Sequence, residues 1–154
     1  MERKFTIPGT FCIGDGTNAA GTLTRWVRDT FYEEELKKER AGGENAYAVM
    51  AREAAEVEAG SEGLIILPYI YGERSPIQDA KASGMLFGLK GTHTRKQINR
   101  AALEAVGYST LQHMILFDEM NLPTEIRYYG RGRHKKCGMD ADYMRYDRKA
   151  DMYS

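Results

Sequence analysis

Apolar and polar positions along the chain change period several times, and each change marks an element. Phe5-Thr6-Ile7-Pro8-Gly9-Thr10-Phe11-Cys12-Ile13 is rich in β-branched and aromatic residues but is interrupted by Pro8, which predicts a short or edge strand. Gly14-Asp15-Gly16 turns the chain. From about Asn18, an N-cap residue type, the spacing of Leu23, Trp26, Val27 and Phe31 predicts a helix. The charged run Glu33 to Arg40 is expected to continue that helix into solvent, and Ala41-Gly42-Gly43 to end it. Tyr47, Met50, Ala54 and Val57 recur at intervals of three and four, which predicts a second helix over Asn45 to Glu58. Leu64-Ile65-Ile66-Leu67 is a continuous apolar run, the pattern of a strand buried on both faces. Tyr69 to Leu89, full of Gly, Pro and charge, reads as one long loop, and a loop of that size in a compact domain usually has a job. Thr94-Arg-Lys-Gln97 then forms a capping box. Behind it Ile98, Ala101, Ala105, Tyr108, Gln112, Ile115 and Leu116 trace the stripe of a long helix that Asn121 and Pro123 terminate.

Composition adds a division of the chain. With 154 residues, 42% hydrophobic and 29% charged, there is room for one ordinary domain with a packed core. The formal net charge is zero. That balance is made of two unlike parts: residues 1–126 hold 14 Lys and Arg against 18 Asp and Glu, and residues 127–154 hold 8 against 4. The second part has no Val, Ile, Leu, Phe or Trp, yet carries five of the ten tyrosines, so it offers no normal core face. A boundary therefore falls near Ile126. No apolar run reaches the about 18 residues of a membrane span, and Met-Glu-Arg-Lys is not a secretory start, so a soluble cytoplasmic protein is expected. Cys12 and Cys137 fit neither a disulfide framework nor a zinc knuckle, and His93, His113 and His134 have no ligand spacing, so no metal site is expected.

The residues taken singly give modest chemistry. Gly14-x-Gly16 between strand and helix resembles a phosphate-cradling turn but lacks both the third glycine of a dinucleotide fingerprint and the Lys-Ser/Thr of a P-loop, so an ordinary turn is the better reading. Within Gly72-Glu73-Arg74-Ser75-Pro76, a structural ion pair of Glu73 and Arg74 anchoring the loop is preferred to a catalytic acid. Gly130-Arg-Gly-Arg-His-Lys-Lys136, with Tyr128 and Tyr129 beside it, has the composition of a tail that binds RNA or an acidic partner. A solvated end is preferred, and nucleic acid is not the expected partner.

Residues 63–104 carry a resemblance. Gly63-Leu-Ile-Ile-Leu-Pro-Tyr-Ile-Tyr-Gly-Glu-Arg-Ser-Pro76 resembles the apolar strand and P-Y-x-x-G-E-R-x-P loop of the FGGY carbohydrate kinases, in the form found in xylulokinases. Gly84-Met-Leu-Phe-Gly88-Leu89, then seven residues, then Gln97-Ile98-Asn-Arg-Ala101-Ala102-Leu103-Glu104, is similar to a second signature of that family at every defined position. Ala20-Gly21-Thr-Leu-Thr-Arg25-Trp26-Val27-Arg28-Asp29 resembles the family's A-G-x-x-x-x-W-L-R-D helix, in which the glycine and a polar residue four positions on line the nucleotide pocket. By that resemblance Gly21 and Arg25 are nucleotide-binding, although glycerol kinases have Gln at the second position. The resemblance covers about residues 5–126.

What the resemblance implies is an α/β fold: an incomplete actin-like, ribonuclease-H-like ATPase domain, with two or three strands and about three helices. Domain 1–126 becomes part of the C-terminal half of a kinase that moves a phosphoryl group from ATP-Mg²⁺ to a sugar hydroxyl, with xylulose or a similar ketose or polyol as the sugar. In the family an aspartate of a G-G-D motif is the base, and no residue of this chain matches it. The expectation is a fragment inactive alone, holding neither ATP nor Mg²⁺ tightly, and open to self-association as a homo-oligomer. The alternative is a binding or regulatory module working through the basic tail.

The tail itself departs from the family, which has a strand and a G-G-G-A loop at this point. Codons exist for residues 128–154 whose reading one base later gives I-M-G-G-G-A-T-K-N-A-V-W-M-Q and continues I-I-C-D-M-T-G-K-R-I-C-I. That is the family's motif with an amphipathic helix behind it. From about Tyr128 onward, residues 127–154 are thus expected to be a frameshifted reading, which accounts for the charge reversal and the missing aliphatics together.

Overall fold

The structure, a computed structural model, describes residues 16–18 and 20–121 together with the backbone of 2–4 and 11–13. Gly14, Asp15, Pro123 and the whole of 127–154, with Tyr128, Tyr129, the basic run and Cys137, lie outside the described residues.

Two short strands open the chain. β1 (Glu2–Lys4) pairs antiparallel with β2 (Phe11–Ile13), Arg3 opposite Cys12. Helix α1 (Ala20–Phe31) follows, with Leu23 and Val27 wholly buried and Trp26 and Phe31 packed edge to face against that core, their ring centroids 5.7 Å apart. The expected continuation into the charged run is interrupted at Tyr32, where φ is −127° and ψ 33°, and α2 (Glu33–Arg40) starts anew. The reason is the fully buried Tyr32 ring, a member of the core, whose hydroxyl donates to Glu53 Oε2 at 2.8 Å. α2 buries no residue; it carries Glu33, Glu34 and Glu35 in its first turn and Lys37, Lys38 and Arg40 in its last, the order that complements the helix dipole. Gly42, at φ 90°, ends it as expected.

α3 (Ala46–Ala55) is capped by Asn45, whose side chain accepts from the Tyr47 and Ala48 amides. Glu39 of α2 in turn accepts from Asn45 Nδ2 and the Ala46 amide. Ala46, Met50 and Ala54 are buried, with Val57 beyond the helix end, while Tyr47 stands outside the stripe and meets Arg28 instead. A single tight turn at Ser61–Gly63 leads into β3 (Ile65–Leu67).

β3 is buried on one face only. Ile66 lies in the core and Ile65 is 48% exposed, because the helices cover the sheet from one side among the described residues. The 69–89 segment, expected as pure loop, contains β4 (Met85–Phe87), antiparallel to β3 with Ile65 opposite Phe87 and Leu67 opposite Met85. α4 (Arg95–Glu119) begins at the expected capping box: Thr94 accepts from the Lys96 amide and Gln97 Oε1 takes the Thr94 amide at 2.9 Å. Its buried face is lined by Ala101, Ala102 and Ala105, small enough to let α4 lie close on Leu23, Leu64 and Ile66. Further along, Ser109 and His113 turn inward while Tyr108 and Ile115, expected in the stripe, face outward. Asn121, at φ 53°, follows the helix end. The described architecture is α/β, with four helices and four short strands in two antiparallel pairs.

Candidate functional site

Gly21 and Arg25 stand one turn apart at the start of α1 and therefore on one face of it. Both are exposed. A Cβ built on Gly21 would meet nothing within 4 Å, so this face of the helix is an open surface with its backbone bare.

The 69–82 loop fastens the approach to that face. Gly72 adopts φ 70°, and a Cβ there would fall 2.6 Å from the Ala80 carbonyl oxygen, so the turn needs glycine. The Glu73 amide donates to the Asp79 carbonyl at 2.8 Å, and Asp79 Oδ1 takes the Lys81 amide, so the loop folds on itself. Glu73 emerges from it 2% exposed. Its carboxylate accepts from the Thr17 hydroxyl at 2.6 Å, the Asn18 amide at 3.0 Å and the Arg74 amide at 2.8 Å. Burial by itself would push the Glu73 carboxyl up, but these three hydrogen bonds outweigh it and hold it below the ordinary carboxylate value. Arg74 donates to the Gly16 carbonyl at 3.4 Å. Glu73 and Arg74 each hydrogen-bond to the 16–18 segment. Among the described residues the hydrogen bond that joins them runs through the Arg74 amide, where the sequence suggested an ion pair of side chains.

A second polar cluster was not legible in the sequence. Arg95 lies between Glu35 at 3.1 Å and Glu53 at 2.6 Å, its guanidinium stacked on Tyr32. Burial pushes Glu35 and Glu53 up, but hydrogen bonds from Arg95, and from Tyr32 to Glu53, leave both below their ordinary values. Burial first, and then the Glu53 acceptor, raise the Tyr32 phenol. The cluster edges a cavity of about 240 Å³ lined also by Lys38, Glu44 and Arg52. Glu35 sits in a run that reads as solvated and Arg95 inside a capping box, so neither position carries a signal of the other. In a third cluster, buried Glu104 accepts from the Gly60 amide, Ser61 Oγ and Arg100 Nε, tying the turn before β3 to α4. These two clusters hold helices together. Among the described residues no three His, Cys, Asp or Glu side chains converge.

Comparison with known proteins places this geometry in a class. Residues 3–128 match the FGGY family of carbohydrate kinases, C-terminal domain. The structure superposes on the crystal structure of xylulose kinase from Rhodospirillum rubrum with a TM-score of 0.62 at 34% identity, over 73% of this chain and 21% of that one. The fold is that of part of an actin-like ATPase domain. The chain belongs to the FGGY family of carbohydrate kinases. It is 38% identical to a gluconokinase of Bacillus subtilis over 97 residues, 63% of this chain and 19% of the relative. It is 32% identical to a xylulose kinase of Staphylococcus epidermidis over 125 residues, 79% of this chain and 23% of the relative. The chain thus spans about a fifth of the length of the curated relatives it matches. No helix among the described residues is long and apolar enough to cross a membrane.

Proposed function

We propose that this chain is part of the nucleotide-holding half of an ATP-dependent sugar kinase, with a ketose or related polyol as the phosphoryl acceptor of the whole enzyme. The reading is supported by the FGGY match over residues 3–128 together with the open face of α1 at Gly21 and Arg25, in the stretch that resembles the family's nucleotide helix. Arg25 supplies a positive charge for phosphate oxygens, and the missing side chain of Gly21 lets a flat base or ribose approach the backbone. Phosphoryl transfer depends on positioning and on groups that neutralise charge from both sides of a closed cleft. A rim alone gives weak nucleotide binding and no turnover. Purified chain incubated with ATP, Mg²⁺ and xylulose or gluconate should yield no sugar phosphate; measurable phosphorylation overturns the fragment reading.

We propose further that residues 128–154 are out of frame. The family match ends at residue 128, where suitable codons read one base later give I-M-G-G-G-A. Sequencing the source DNA across Arg127 to Arg133 decides it: bases that do not encode this motif in the next frame overturn it.

A further inference from the structure

Glu73 is a buried carboxylate that the proposed function leaves without a role. It is delivered by a loop already braced on itself, through the left-handed turn at Gly72 and the Glu73–Asp79 backbone bond. Its two oxygens are spent on Thr17, Asn18 and Arg74, and two of those partners lie in the segment immediately ahead of α1. The Asn18 carbonyl accepts from the Thr22 hydroxyl at 3.1 Å, so the clamped segment is itself stitched to the helix's first turn. Gly21 and Arg25 follow on that turn and the next. We propose that Glu73 is a positioning residue for the nucleotide-facing side of α1: its carboxylate fixes residues 17 and 18, and thereby the direction and order of the helix start that presents Gly21 and Arg25. This inference rests on the nucleotide reading of that face.

The physical reason is pre-organisation. The first amides of a helix lack partners inside it, and the turn that contains them frays most readily. A buried, ionised carboxylate that holds the Asn18 amide and the Thr17 hydroxyl places negative charge beside the positive end of α1 and removes that freedom before a ligand arrives. The loop is part of the binding apparatus through this contact even if it never touches the nucleotide.

Amide hydrogen exchange on the full chain tests it, with and without millimolar ATP-Mg²⁺. The Asn18 amide, bonded to Glu73, and the Arg25 amide, bonded within the helix to the Gly21 carbonyl, should be protected in the parent. In Glu73→Ala both should exchange about tenfold faster or more, with amides in the middle of α4 unchanged; Glu73→Gln, which keeps an acceptor in place, should restore most of the protection. ATP-Mg²⁺ should add protection at Gly21 to Arg25 in the parent and in Glu73→Gln but not in Glu73→Ala. Parent-like exchange at Asn18 and Arg25 in Glu73→Ala overturns the clamp. Loss of protection there with undiminished protection by ATP overturns the link to the nucleotide face. A parent that gains nothing from ATP refutes the nucleotide reading, and with it the nucleotide part of this role, while exchange at Asn18 still decides the clamp. Should Glu73→Ala unfold, Thr17→Val removes one donor to the same carboxylate, and faster exchange at Asn18 and Arg25 supports the clamp while parent-like exchange overturns it.

Discussion

The guanidinium of Arg95 lies 4.4 Å from the ring centroid of Tyr32, and its nitrogens reach Glu35 on one side and Glu53 on the other. One side chain at the start of α4 therefore joins the helix break at Tyr32, α2 and the last turn of α3. Replacing Arg95 by Met keeps much of the packing over Tyr32 but leaves the largely buried carboxylates of Glu35 and Glu53 without their cation, Glu53 retaining only the Tyr32 hydroxyl. The expected loss is about 1–3 kcal/mol, set below that of a fully buried pair because the Arg95 side chain is 34% exposed. Urea unfolding should show it, and adding Glu35→Gln and Glu53→Gln to Arg95→Met should recover part of it.

Acid should weaken the fold through a few identifiable carboxylates. Glu35, Glu53 and Glu73 each sit below their ordinary values, so the folded chain takes up their protons less readily than the unfolded chain. Their contribution is complete above the unfolded value near pH 4.3 and is lost as pH falls through the lower folded values. The urea midpoint should be level around neutrality and fall below about pH 4.5. Glu73→Gln should lower the neutral plateau and flatten the acid limb; an unchanged acid limb would mean that this carboxylate does not titrate as described.

Two glycines separate backbone strain from collision. Gly42 and Gly72 both have positive φ, but a Cβ on Gly42 would meet open space and one on Gly72 would strike the Ala80 carbonyl. Gly42→Ala should cost about 1 kcal/mol, for the left-handed conformation alone. Gly72→Ala should cost roughly 2–4 kcal/mol, because the loop must also shift. Thermal melts of the two variants should fall in that order. Hydrogen exchange at Asn18 should rise only in Gly72→Ala.

The outer face of the β3–β4 pair presents Ile65, Met85 and Phe87, all about half exposed or more. An apolar face of this kind favours association between copies. Light scattering is expected to show mass rising with concentration, and Phe87→Lys should suppress that rise with less than about 0.5 kcal/mol change in stability. A monomer at every concentration would refute the self-association expected from the sequence.

Much of the fold was legible where a signal is local. The Thr94 and Gln97 capping box and the glycines after α2 are interactions within a few residues, and each falls where its residues stand. The break at Tyr32 was hidden because no Gly or Pro marks it; its cause is a buried ring and hydroxyl whose partners stand 21 and 63 positions away. β4 was hidden because Met85-Leu86-Phe87 is too short for alternation to register, and only pairing with β3 defines it. At the candidate site, Glu73 stood out as an anchoring residue, yet its partners Thr17 and Asn18 lie 56 and 55 positions upstream in a stretch with no distinguishing pattern. Gly21 and Arg25 were singled out by family resemblance, since an exposed glycine and arginine on a helix carry no signal of their own.

α2 has no buried residue, and among the described residues it is held largely by polar contacts: Glu35 pairs with Arg95 of α4, and Glu39 accepts from Asn45 and the Ala46 amide at the start of α3. A contact made through charge weakens as salt screens it, whereas simple salts do not weaken apolar burial. This helix is therefore the part of the domain that concentrated salt should loosen while the body beneath stays closed. Its flanks at Tyr32 and Gly42 would then act as a pair of joints, making the segment between them the natural first target of a protease.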